Sequence, residues 1–260
     1  MAETPKARPR FYDLSDTLRN GTWEPLPHKI VYKSHEEGAA HAAKMFGLKP
    51  SDFPESRAWA VEEVTLHTHS GTHIDAPYHY GPNSGGKPAR TIDQMPLDWF
   101  FNDGVVLDFS QKPAGGVIHI DDLQAALDKI DYTLKPFDIV LVRTDASKHF
   151  GEVNYQDMHA GVSAAGTRWL ISQGIRVMGI DAWGWDRPFP QQTELFRQGE
   201  KDVLWEAHYV GKDQEYCQIE RLANLDKLPR PFGFKVSVFP FKLEGCSGSW
   251  TRAVAIFDEG

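Results

Sequence analysis

The chain has 260 residues, 41% of them hydrophobic and 25% charged, which is enough for one large folded domain or two small ones. Its formal net charge of −8 argues against a nucleic-acid binder that works through phosphate contacts. Two cysteines, a polar amino terminus and no apolar stretch near the ~18 residues of a membrane span predict a cytoplasmic protein that binds no membrane.

The predicted elements alternate between helices and strands. Residues 1–10 are expected to form a disordered lead-in, a capping box at Ser34 begins a helix that runs to residue 46, and a Val- and Thr-rich strand follows over 58–69. The remaining predicted elements are a strand over 104–109, a helix capped by Asp121, a strand over 138–142, a helix from Ser163 to Gln173, and strands over 175–180, 234–239 and 252–257. The central strand–helix–strand unit, with no linker beside it, predicts one α/β domain over 11–260.

Four of the eleven histidines lie between His67 and His79, with Asp75 among them. Imidazole nitrogens and carboxylate oxygens are ligands that Zn²⁺ and Mn²⁺ accept in proteins. A glycine-containing turn after the strand predicts that His69 and His73 lie side by side, and Asp75, two residues on, shares a face with His73 if the segment is extended. The spacing therefore predicts three convergent metal ligands.

Three protein ligands leave coordination positions open for water and substrate, which is typical of a catalytic metal site. His79, beyond a proline that stiffens the chain, is a candidate for a further ligand or for a nearby base. His67 shares a strand face with His69 and is interpreted as a packing neighbour rather than a ligand.

The segment His69-Ser-Gly-Thr-His73-Ile-Asp75-Ala-Pro77-Tyr-His79 resembles the H-x-G-T-H-x-D-x-P-x-H signature of the metal-dependent cyclase family, which includes bacterial kynurenine formamidases and isatin hydrolases. The resemblance covers nearly the whole chain from about residue 11. It implies the swivelling β/β/α single-domain fold of that family and assembly into a homodimer or homotetramer.

The same resemblance implies the site. His69, His73 and Asp75 would hold a first Zn²⁺ or Mn²⁺, and His79 would be the catalytic base. If a second ion binds, Asp75 would bridge the two ions, and His208 and Glu220 would complete the second position.

One departure from the family bears on the substrate. Trp183 and Trp185 stand where family members often carry smaller residues, and Trp23 lies in an amino-terminal loop that could cover a pocket. Indole rings at these positions suit a flat or aromatic substrate, so the three tryptophans are predicted to bind it.

The predicted function is a metal-dependent hydrolase of a small amide, lactam, imide or lactone carbonyl. The substrate would be a ring-containing small molecule, either isatin-like or an N-formyl aryl amine, attacked by water whose proton passes to His79. Two alternatives stay open: a metal-dependent cyclase or dehydratase, and a metal- or ligand-binding protein without catalysis.

Overall fold

A mixed nine-stranded sheet organises the protein, whose residues 8–258 are described by a computed structural model. The strands are β1 (Arg10–Asp13), β2 (Lys29–Lys33), β3 (Val61–Thr65), β4 (His73–Asp75), β5 (Asn83–Ser84), β6 (Lys87–Pro88), β7 (Phe101–Asp108), β8 (Val117–Ile118), β9 (Ile139–Arg143), β10 (Gly161–Val162), β11 (Val177–Ile180), β12 (Cys217–Glu220), β13 (Phe232–Ser237), β14 (Gly248–Trp250) and β15 (Val254–Phe257). The helices are α1 (His35–Phe46), α2 (Pro77–Tyr80), α3 (Ile120–Lys129), α4 (Ala164–Ser172) and α5 (Phe189–Arg197).

The large sheet runs in the order β1-β15-β13-β7-β9-β11-β12-β4-β14. Its centre, from β7 through β9 and β11 to β12, is parallel, and every other pairing in it is antiparallel. Strands β2 and β3 form a separate antiparallel ribbon. The strand β4, which carries two of the predicted ligands, is therefore held between β12 and β14 near one edge of the sheet.

Apolar side chains alternate between the two faces of the central strands. In β9, Val140 and Val142 belong to one buried cluster, together with Leu123 of α3 and Leu170 of α4. Leu141, between them in sequence, belongs to a second cluster on the opposite face. Both faces of β9 are thus covered, which explains why the strand is apolar without interruption from Ile139 to Val142.

Local sequence signals set both ends of α1 and the start of α4. Ser34 Oγ accepts a hydrogen bond from the backbone amide of Glu37, the Glu37 carboxylate accepts one from the backbone amide of Ser34, and Gly47 ends α1 in a left-handed conformation. Ser163 caps α4 in the predicted way. The prediction for α3 is wrong in one respect, because His119 occupies the position before the helix and Asp121 lies inside its first turn.

The structure differs from the predictions at two places in the amino-terminal part of the chain. Residues 1–7 of the predicted disordered lead-in lie outside the described residues, but Arg10 already pairs in β1, so the ordered domain begins slightly earlier than predicted. The strand predicted over 58–69 is shorter, covering Val61–Thr65, and it belongs to the two-stranded ribbon. Beyond the strand the backbone turns, and the Ser70 amide donates to the carbonyl of His67. Among residues 8–258, no helix is long and apolar enough to cross a membrane.

Trp185 lies in the core rather than in a pocket wall. Its side chain is fully buried in the cluster that also contains Leu123 and Leu170, and its indole Nε1 donates a hydrogen bond to Thr167 Oγ1 over 2.9 Å. The indole is fixed in the core because a buried N–H needs an acceptor and Thr167 supplies it. The predicted substrate contact by the Trp185 side chain does not match this placement.

We predict that Trp185→Phe lowers the free energy of unfolding by about 1–3 kcal/mol, because it removes buried volume and leaves Thr167 Oγ1 without its donor. Urea denaturation measures the change. The matched control is Trp59→Phe at an exposed position, which we expect to stay within about 0.5 kcal/mol of the wild type. Equal effects of the two substitutions would contradict the core assignment of Trp185.

Candidate metal centre

The buried strand β4 supplies the centre of the site. His73 and Asp75 are both about 1% exposed and point to one face, while Ile74 between them packs in the core. The turn before the strand needs Gly71, which has φ +60 and whose Cβ, if present, would lie 2.9 Å from the side chain of Leu18. The predicted turn and extended segment are therefore both present.

Glu220 reaches this face because of strand register. β12 pairs antiparallel with β4 and places Glu220 directly opposite His73. Side chains directly opposite in an antiparallel pair have Cβ atoms about 4.5–5.5 Å apart. Two residues 147 positions apart in sequence are thereby brought together, and Glu220 Oε2 lies 3.7 Å from His73 Nε2.

The two oxygens of Asp75 face different pairs of imidazoles. Oδ1 lies 2.6 Å from His69 Nδ1 and 3.3 Å from His73 Nε2. Oδ2 lies 3.8 Å from His79 Nε2 and 3.7 Å from His208 Nε2. Two ligand groups that share Asp75 are therefore close enough to hold a metal ion: His69, His73 and Asp75, and Asp75, His79 and His208.

Glu220 spans the two groups as well. Its Oε2 faces His73, as described above, and its Oε1 lies 3.5 Å from His208 Nε2. The backbone amide of Trp185 donates to the same Oε1 over 3.1 Å, so this tryptophan contributes to the site through its main chain.

Three of the four imidazoles are oriented by a hydrogen bond on the ring nitrogen that faces away from Asp75. His73 Nδ1 donates to the carbonyl of Gly71 over 2.8 Å, and His208 Nδ1 donates to the carboxylate of Asp186. His69 Nε2 lies 2.9 Å from Ser247 Oγ. Such bonds fix the tautomer and ring orientation of metal-binding histidines.

His79 differs from the other three. No hydrogen bond to its ring is found among residues 8–258, and the ring packs against that of His69, with 4.1 Å between their centroids. Burial, with the neighbouring imidazoles adding to it, lowers the pKa of His79 to about 4 despite the opposing charge of Asp75. At neutral pH the ring is therefore unprotonated and able to accept a proton.

The charges of the cluster suit a cation. Burial favours a neutral Asp75, yet His79 and His69 lower its pKa well below the usual value, so the carboxylate is ionised. Burial and the nearby charge of Asp75 raise the pKa of Glu220. His73 Nε2 and Asp75 Oδ2 are buried and have no hydrogen-bond partner within residues 8–258. Unpartnered ligand atoms in a buried, acidic site are what a divalent cation would satisfy.

A cavity of about 190 Å³ that opens to solvent adjoins the cluster. His69, His79, His208 and Glu220 form part of its wall. Its apolar wall is formed by Pro25, Leu26, Trp183, Pro188, Phe189 and Trp205. The mixture of apolar walls with a few polar groups is typical of a small-molecule site.

The predicted tryptophans divide between the cavity and its surroundings. Trp183 lines the cavity, where the guanidinium of Arg221 lies 3.6 Å from its ring centroid. Trp23 packs against Trp183, with 6.1 Å between ring centroids, and is not among the described residues that line the cavity. Arg221 is held in turn by Glu24, at 2.5 and 2.7 Å from the two carboxylate oxygens.

Several residues that shape the site were not predicted from the sequence. Trp205 lines the cavity and stacks on His208 with 5.0 Å between centroids and 12° between planes. Asp186 orients His208, and Ser247 contacts His69 from the segment just before β14. The nearest sequence signal was Gly248, because a Cβ there would lie 2.7 Å from His69 Cε1, so a glycine is needed for the close approach. No pattern in the sequence pointed to Trp205 or Asp186.

Comparison with known proteins agrees with this geometry. The family described as "Putative cyclase" matches residues 12–187. The chain is 28% identical over 197 residues to the kynurenine formamidase of Erythrobacter litoralis, covering 73% of this chain and 72% of that protein. It is 24% identical to the kynurenine formamidase of Bacillus thuringiensis subsp. konkukian, covering 94% of this chain and 96% of the relative.

The fold is shared with solved structures. Isatin hydrolase A from Ralstonia solanacearum superposes with a TM-score of 0.76 at 24% identity, covering 96% of this chain and 92% of the other. A predicted metal-dependent hydrolase from Bacillus stearothermophilus has a TM-score of 0.60 at 18% identity, covering 96% and 99%. The predicted mixed α/β fold of this family is confirmed, and the enzyme class predicted from the sequence is the class of these relatives. The chain belongs to the cyclase family.

Proposed function

We propose that this cyclase-family enzyme, a metal-dependent hydrolase of carbon–nitrogen bonds, acts on a ring-containing amide such as an N-formyl aryl amine or a cyclic amide of the isatin type. The observation that carries the proposal is the position of Asp75, whose two oxygens face two pairs of imidazoles beside a cavity with aromatic walls. The names of the relatives, kynurenine formamidase and isatin hydrolase, support the same bond type.

We propose that His69, His73 and Asp75 hold a first ion and that His208 and Glu220, with Asp75 between them, provide a second position. Zn²⁺ and Mn²⁺ both accept this set of nitrogen and oxygen donors. A bound ion would polarise the substrate carbonyl and make a water in the cavity more acidic.

His79 is the proposed proton carrier. It would accept the proton of the attacking water and return it to the departing nitrogen, so that water and the amide yield a carboxylic acid and an amine. Trp183 and Trp205 would hold a planar ring in the cavity. The other three imidazoles are each oriented by a hydrogen bond, and none to the ring of His79 is found among residues 8–258. This difference supports the role of His79 as a proton carrier rather than as a metal ligand.

Two predictions of the sequence analysis stay predictions: assembly into a homodimer or homotetramer and a cytoplasmic location. The latter is supported by Cys217 and Cys246, which are both free.

Addition of Mn²⁺ or Zn²⁺ to the metal-stripped protein is expected to raise its melting temperature, because an ion that binds only the folded state stabilises it by about 2.7 kcal/mol at 100 times Kd. Asp75→Asn should abolish this rise, since it removes the carboxylate shared by both ligand groups. The exposed Asp202→Asn is the matched control and should respond like the wild type. An undiminished rise in Asp75→Asn would refute the site.

Metal titration distinguishes one ion from two. We expect the wild type to bind two Mn²⁺ per chain and His208→Ala to bind one, because His208 contributes to the proposed second position, with Asp75 and Glu220, and not to the first. Metal analysis after gel filtration provides the count. One ion in both proteins would restrict the site to His69, His73 and Asp75.

His79→Ala should retain the metal content of the wild type while hydrolysis falls by about 10²- to 10⁴-fold, because a general base is lost but no proposed ligand. Turnover is measured on the best substrate from a screen of aryl formamides, isatin, cyclic imides and aryl lactones. His41→Ala, on the exposed face of α1, is the control. Loss of a metal ion in His79→Ala would show that His79 is a ligand, and unchanged turnover would exclude it as the general base. Ring closure of a substrate without hydrolysis, seen with the wild type, would instead favour a cyclase.

A further inference from the structure

A loop between β1 and β2, residues 20–28, forms one wall of the cavity and contains neither helix nor strand. Three consecutive residues of this loop, Glu24, Pro25 and Leu26, line the cavity. Leu26 is nevertheless 51% exposed to solvent, so the wall is thin at this point. The loop therefore stands between the cavity and the solvent at one side of the cavity mouth.

The two ends of the loop are joined to each other. The Asn20 side chain donates through Nδ2 to the carbonyl of Ile30 over 2.7 Å, and its Oδ1 accepts from the amide of Ile30 over 2.8 Å. His28 Nε2 donates to the carbonyl of Arg19 over 2.8 Å. A surface loop whose ends lie close together is an Ω-loop, a type that is frequently functional. Movement of this loop about its closed base leaves β2 in place.

A single carboxylate connects the loop to the body of the protein. Among residues 8–258, the hydrogen bonds found between the loop and residues beyond its base all end on Glu24. The two oxygens of Glu24 lie 2.5 and 2.7 Å from Arg221 Nη1, and Oε1 accepts from the amide of Gly71 over 3.3 Å. The side chains of Glu24 and Arg221 are only 2% and 5% exposed. With both charges out of solvent, loss of either partner leaves the other uncompensated.

Arg221 is a fixed partner for this carboxylate. Its φ is +58, a left-handed conformation that is uncommon for a residue with a side chain. Its amide donates to the carbonyl of Ala182 over 2.9 Å, and its carbonyl accepts from Thr72 Oγ1 over 2.6 Å. The guanidinium lies over the ring of Trp183, against which Trp23 of the loop packs. The body thus presents a held cation and an aromatic ring, and the loop supplies an anion and a ring that match them.

We propose that residues 20–28 are a lid that opens and closes over the metal centre as one piece, and that Glu24 is the positioning residue that holds it closed on Arg221. The closed lid adds Pro25 and Leu26 to the apolar wall, and the open lid gives a substrate access to the cavity. Closure of such a loop excludes water from a reaction, and its opening often limits turnover. The lid does not depend on which bond is cleaved, and only its effect on catalysis rests on the proposed function.

Chymotrypsin cleavage after Trp23 measures opening of the lid, because this ring packs on Trp183 in the closed state and a protease cuts only the opened form. In the full-length, Mn²⁺-loaded protein, Glu24→Gln is expected to raise the rate of this cut by at least about 10-fold, since it leaves the charge of Arg221 without a counterion. Cleavage after Tyr155, which is 1% exposed, reports unfolding of the whole domain and should not change. Equal cutting of the urea-unfolded proteins controls for the altered bond itself.

Two further variants make the cleavage test specific. Glu62→Gln alters an exposed glutamate of β3, is the matched control, and should be cut like the wild type. Glu24→Asp keeps the charge but shortens the side chain by one methylene, so its rate should lie between those of the wild type and Glu24→Gln. If Glu24→Gln does not fold, Glu24→Asp alone decides. Equal rates of cleavage after Trp23 in the wild type and the Glu24 variants would overturn the proposal.

A molecule that fills the cavity should keep the lid closed, because the coupling between ligand binding and closure is reciprocal. Benzohydroxamate carries a metal-binding group and an aromatic ring, and tryptophan fluorescence follows its binding. At saturation it is expected to slow the cut after Trp23 by at least about 10-fold in the wild type. Bound benzohydroxamate with no change in cleavage would show a static wall and overturn the lid. If benzohydroxamate does not bind, the metal site of the proposed function fails, and the Glu24 variants alone judge the lid.

The effect of the lid on catalysis is measured with the best substrate from the hydrolysis screen. Glu24→Gln should lower kcat/KM by about 10-fold, mainly through a higher KM, because the open lid loses the contacts of Pro25 and Leu26. Its metal content should equal that of the wild type, since Glu24 belongs to neither ligand group. A lower kcat with unchanged KM would contradict a role in closure. If the wild type hydrolyses no compound, the proposed function fails, while the cleavage rates still decide for or against the lid.

Discussion

The buried carboxylate of Asp75 is the interaction on which the rest of the site depends. One oxygen faces His69 and His73, and the other faces His79 and His208. An ionised carboxylate with almost no solvent exposure is costly unless positive charge or hydrogen bonds compensate it. The surrounding imidazoles supply part of that compensation, and a divalent cation would supply the remainder.

Backbone pairing gives this carboxylate its fixed position. β4 is only three residues long, yet it is held on both sides, by β12 and by β14. The register with β12 brings Glu220 opposite His73, and the register with β14 brings Gly248 opposite Asp75. A short strand between two neighbours is far more rigid than a loop, so the distances among the ligands are set by the sheet rather than by the side chains alone.

The cavity wall shows a division of roles among its residues. The ring of Trp183 is contacted by the guanidinium of Arg221, and the ring of Trp205 stacks on His208. His69, His79, His208 and Glu220 form the polar side of the same cavity. A wall that combines fixed apolar surfaces with a few polar groups selects a substrate by shape and by polar contacts together.

The sequence by itself determined the elements whose causes are local. The capping box at Ser34, the continuous apolar run of β9 and the turn that requires Gly71 all act within a few residues, so they could be predicted from the pattern. The spacing of His69, His73 and Asp75 likewise predicted a convergent group, because a turn and an extended strand bring near neighbours together without help from distant residues.

Only the tertiary structure decided which distant residues complete the site and which tryptophans reach the cavity. Glu220 and His208 were reached through a family resemblance, and the physical reason for their proximity is a strand register that no local pattern encodes. Trp183 and Trp185 are two residues apart and looked equivalent, yet one lines the cavity and the other donates to Thr167 in the core. Their difference arises from packing against α4, an element adjacent in space but not evident from the residues around the tryptophans.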